Sequence, residues 1–92
     1  MKRPFRRKLR NCIRKDTFRY FVEQEKISYI WDQIILKYGP PVVLTDFSME
    51  IVEDERAIFK KGIKESQFTL IKKTDFNQQD EQFINRLTGV SA

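Results

Sequence analysis

Tyr38 is followed by Gly39, Pro40 and Pro41, and this tripeptide ends whatever structure precedes it. Glycine suits the position just past a helix, and proline has no amide hydrogen with which to continue one. Upstream, Ile27, Ile30, Trp31, Ile34, Ile35 and Tyr38 recur at intervals of three and four. That spacing predicts an amphipathic helix over 28–38. A chain of 92 residues makes one domain with a single modest core, and the rest must be arranged around this helix.

Before the helix the pattern is two-sided. Phe18, Phe21 and Val22 have helical spacing, whereas Phe18, Tyr20 and Val22 alternate as in a strand. Aromatic and β-branched content favours the strand, and either way the phase breaks near 24–26. After the prolines, Val42–Leu44 reads as a brief strand. Asp46 or Ser48 then caps a helix to about residue 64, with Met49, Val52, Arg56, Phe59 and Ile63 on its apolar face. Glu50, Glu53, Asp54 and Glu55 crowd its first half and Lys60, Lys61 and Lys64 its second, as the helix dipole prefers. Phe68–Lys72 reads as a strand. A last helix starts at Asp75 or Asn77 and stops at Gly89. These elements predict a helix-rich α+β domain with about four helices and a small two- or three-stranded sheet, an all-α bundle being the alternative.

The charge is unevenly placed. Residues 1–15 hold eight basic groups and no acid, leaving ten basic and 13 acidic groups in residues 16–92, a balance of −3. The expected organisation is a basic arm, 1–15, on a compact domain, 16–92. Wound as a helix, Pro4–Lys15 places Phe5, Leu9, Cys12 and Ile13 along one side and Arg6, Arg7, Arg10 and Arg14 on the other.

Several chemistries are excluded or disfavoured. There is no histidine, so neither a Ser-His-Asp nor a Cys-His arrangement exists, and a structural zinc site is not expected. The three glycines are isolated, so no glycine-rich phosphate loop is present. The one cysteine, Cys12, excludes an intrachain disulfide and fits a reducing, cytoplasmic setting. No apolar run approaches the roughly 20 residues of a membrane-spanning helix. No cofactor and no catalytic or metal-binding residue is expected, and the protein reads as a non-enzymatic binder.

Two partner classes fit. In the first, Arg3, Arg6, Arg7, Arg10 and Arg14 contact the phosphates of nucleic acid or another anionic macromolecule. An acidic protein surface would meet the same charges, and an anionic membrane surface ranks behind both. In the second, the chain is a protein–protein module of inhibitor, immunity or adaptor type, monomeric or homo-oligomeric, that uses Glu50, Glu53 and Asp54 together with exposed Tyr20 and Tyr29. Glu50, Glu53 and Asp54 at helical i, i+3 and i+4 positions could share a divalent ion, although a solvated helix start explains them better. Arg19 stands among Phe18, Tyr20 and Phe21, and aromatic and basic residues interleaved on a sheet can stack bases. No RNP-like run accompanies them, and Trp31 reads as core.

Overall fold

The computed structural model describes residues 4–9 and 16–90, with Phe47 described by its backbone alone. Among the described residues six strands form one antiparallel sheet: β1 (Phe5–Leu9), β2 (Thr17–Phe21), β3 (Val42–Leu44), β4 (Met49–Glu53), β5 (Ala57–Gly62) and β6 (Gln67–Lys72). Their order across the sheet is β1-β2-β6-β5-β4-β3. Helix α1 (Gln24–Tyr38) carries the chain from β2 to the far edge, β3, and the meander β3 to β6 returns strand by strand until β6 pairs with β2. Helix α2 (Gln78–Thr88) follows β6.

Both helices pack on one face of the sheet. Ile27, Ile30, Trp31, Ile34 and Tyr38 are the buried residues of α1, on the spacing expected from the sequence. Beneath them Tyr20 stacks on Phe68 with ring centroids 5.0 Å apart, and Phe68 in turn approaches Trp31 and Phe59 at 6.3 Å. Gly39 ends α1 at φ +123°, and its amide donates to the Ile35 carbonyl. Side chains avoid that backbone region, which is why glycine stands there. Helix α2 opens with a reciprocal cap: Asn77 Oδ1 accepts from the Asp80 amide, and an Asp80 carboxylate oxygen accepts from the Asn77 amide.

The helix-rich expectation is overturned, and with it the all-α alternative, because two stretches with helical spacing are strands. The first is 48–64, which forms the β4–β5 hairpin. Asp54 Oδ1 accepts from the amides of Arg56 (2.7 Å) and Ala57 (3.0 Å), so a side-chain-bonded turn starts where the helix reading needs continuity. Ala57, Phe59 and Lys61 are all buried at a period of two. The acid-then-lysine polarity is the mark of two facing arms, with Glu50 opposite Lys61 and paired with it at 3.3 Å. A helical cluster of Glu50, Glu53 and Asp54 therefore does not form.

The second is the start of the basic segment. Phe5–Leu9 pairs with β2 from Phe5↔Phe21 to Leu9↔Thr17. Residues four apart share a face in a strand as well as in a helix, so Phe5 and Leu9 satisfied both readings. The remainder of the expected basic helix, 10–15, lies outside the described residues.

Candidate nucleic-acid interface

Directly opposed residues of an antiparallel sheet point to the same face, so the register sorts every strand residue into the helix-covered face or the open one. On the covered face one row runs Arg6, Tyr20, Phe68, Lys61, Glu50, Val43. The row beside it on the open face runs Arg7, Arg19, Thr69, Lys60, Ile51, Val42. The adjacent pairs Arg6-Arg7 and Lys60-Lys61 are thus divided, one cation of each going to either side.

Three cations of the covered face, Arg6, Lys61 and Lys72, are neutralised, whereas Lys8, opposite Phe18, is exposed. Arg6 forms an ion pair with Glu81 of α2 and donates to the Tyr20 hydroxyl at 3.1 Å. Lys72 pairs with the other oxygen of Glu81. Arg6 and Lys72 both lie against the Phe18 ring, at 4.5 and 4.6 Å from its centroid. Burial pulls the Glu81 carboxyl upward, but hydrogen bonds from Lys72 and Arg6 outweigh it and hold the group below its ordinary value. Burial raises the Tyr20 hydroxyl, against the opposing bond from Arg6. Lys61 is buried, paired with Glu50, and 5.5 Å from the Trp31 ring centroid.

The open face is different. Arg7, Arg19 and Lys60 make no ion pair or hydrogen bond with any side chain among the described residues. With Thr69 between Arg19 and Lys60, the three cations stretch across four adjacent strands, roughly 14 Å. A depression of about 480 Å³ lies along this row, walled by Thr17, Arg19, Lys60, Gln67, Thr69 and Ile71. Its rim carries one acid, Glu65, which accepts from Gln67 at 3.5 Å. Flanking the cations is an aromatic pair: Phe5 and Phe21 stack at 4.7 Å with 17° between ring planes, and Phe5 is 45% exposed. On the other flank run Leu9, Thr17, Ile71 and Ile58.

The sequence candidates are dispersed over this architecture. Arg7 is exposed on the open face, Arg6 is tied to α2, and Arg3, Arg10 and Arg14 lie outside the described residues. Tyr20, expected to be exposed, is a core residue at 0% exposure, because its strand alternation turns it under α1 and α2. Tyr29 is exposed at 62% on α1. Glu50 pairs with Lys61, Glu53 pairs with Lys73, and Asp54 holds the hairpin turn. Arg19 stands out in the sequence for its aromatic neighbours, but Lys60 does not, since its row is defined by pairing between distant strands. Among the described residues, no three His, Cys, Asp or Glu side chains stand together as a metal site, and no helix is long and apolar enough to cross a membrane.

No family model, no curated protein and no solved structure matches this chain.

Proposed function

We propose that this is a small, non-enzymatic nucleic-acid-binding protein of the cytoplasm, and that its binding surface is the open face of the sheet. The observation that carries the reading is the row of Arg7, Arg19 and Lys60, three cations without acidic partners among the described residues. Arginine forks match phosphate oxygens, and a line of cations follows a polyanion better than a compact ligand. Elsewhere in the sheet Arg6, Lys61 and Lys72 are paired with carboxylates, and Lys8, exposed at the end of β1 opposite Phe18, is a single cation outside any such row. Leaving three unpaired in one row is a distinct arrangement of charge.

Fluorescence anisotropy with labelled oligonucleotides at rising salt tests the reading. Three phosphate contacts predict a log–log salt slope of about −2 to −3, depending on strandedness. The triple change Arg7→Ala, Arg19→Ala, Lys60→Ala abolishes binding, whereas Arg86→Ala on α2 leaves it intact. No binding at low salt, or equal binding by the triple variant, overturns the reading.

A further inference from the structure

Resting on that reading, we propose that the ligand is single-stranded, with one unpaired base stacked on the outer face of Phe5 while its backbone crosses the sheet along Arg7, Arg19 and Lys60. β1 is the edge strand, so β2 with Phe21 lies to one side of Phe5 and no described strand lies to the other. Phe21 already covers one face of the Phe5 ring at 4.7 Å, and the ring remains 45% exposed. A planar base placed on the free side continues an existing stack, Phe21–Phe5–base, and needs no rearrangement of either ring.

The rest of the nucleotide then falls on cations. Arg7 is two residues along the same strand and on the same face as Phe5, a separation of about 7 Å. A base on Phe5 thus leaves its phosphate within reach of the Arg7 guanidinium. Arg19 and Lys60 follow inward across the sheet and receive the next phosphates, with the Thr69 hydroxyl between them as an additional donor.

Shape argues against a duplex. Six strands at about 4.8 Å spacing make a surface roughly 24 Å across, which cannot enter a major groove about 12 Å wide. A duplex also keeps its base faces stacked on one another, so nothing is offered to Phe5.

The test uses the full chain carrying Phe5→Trp, whose added emission is read above that of buried Trp31. Three probes are titrated: an oligothymidylate of about ten nucleotides, within the range of single-domain sites, a duplex of equal length, and linear polyphosphate. The proposal expects quenching of the added emission by the oligothymidylate and none by polyphosphate, with the duplex bound more weakly. A second variant, Phe5→Leu, keeps apolar bulk at the sheet edge and removes the ring. It weakens oligothymidylate binding by about fivefold or more and leaves polyphosphate affinity unchanged. Equal affinity for all three probes without quenching overturns the stacked single strand while leaving the cation row as the binding surface. Failure of all three to bind overturns both.

Discussion

Replacing Asp80 by alanine removes a carboxylate that three elements share. Asp80 is 1% exposed. Its Oδ1 accepts from the Tyr38 hydroxyl at 2.8 Å, linking α2 to the end of α1, and Arg56 Nη2 of the β4–β5 turn lies 3.6 Å from the same oxygen. Its Oδ2 accepts from the Asn77 amide at 3.2 Å. In the alanine variant the Tyr38 hydroxyl stays buried without an acceptor, at about 1–3 kcal/mol. Loss of one arm of the helix cap adds roughly 0.5–1 kcal/mol. Arg56 is partly exposed and is left out of the sum, since solvent screens such pairs. The total, about 1.5–4 kcal/mol, is a large share of the roughly 5–15 kcal/mol that holds a domain folded. Urea unfolding measures it directly. The double variant with Tyr38→Phe isolates the linking bond: Asp80→Ala costs about 1–2 kcal/mol less when the hydroxyl is already gone. An Asp80→Ala cost below about 1 kcal/mol, or strict additivity in the cycle, refutes the argument.

Glu81 gives a prediction on pH. Its carboxyl is held below the ordinary 4.5 in the folded protein, so its contribution is present at neutral pH and is lost as pH falls below 4.5 through the folded-state value. The stability difference between wild type and Glu81→Gln, from urea midpoints, therefore shrinks on acidification; a difference that stays constant down to about pH 3 contradicts the Arg6–Glu81–Lys72 network. Tyr38 behaves in the opposite sense. Burial, reinforced by the bond to Asp80, raises its hydroxyl far above the usual tyrosine range, so stability falls as pH climbs beyond about 10. An unfolding midpoint unchanged at that pH speaks against a buried Tyr38–Asp80 pair. Gly39→Ala forces a side chain into φ +123° and costs about 1–3 kcal/mol by urea unfolding, whereas no loss means that the α1 terminus relaxes freely.

The sequence was legible where one periodicity was unopposed. The stop at Gly39, strand 42–44 and the last helix lie where spacing and punctuation put them, the strand expected at 68–72 is β6 from Gln67, and the helix expected over 28–38 starts four residues earlier, at Gln24. Misreading came where residues four apart satisfied both a helix and a strand, as Phe5 and Leu9 do, and where facing hairpin arms imitated a helix dipole, as Glu50 and Lys61 do. Both errors hid sheet. The proposed site was hidden for the same reason, because a row across a sheet gathers Arg7, Arg19 and Lys60 from positions that no local pattern connects. The Asp54 turn was the available clue, an Asx-type stop inside the expected helix.

The claim that the open face is the binding surface is tested most directly by isoleucine methyl NMR. Ile51, Ile58 and Ile71 stand on the helix-free face, Ile71 at 8% exposure, while Ile30 and Ile34 of α1 and Ile84 of α2 are buried between the helices and the other face. Titration with a single-stranded oligonucleotide should shift the first three methyl signals and leave the second three in place. Shifts confined to Ile30, Ile34 and Ile84, or to neither group while binding is saturated, would place the ligand elsewhere and contradict the account.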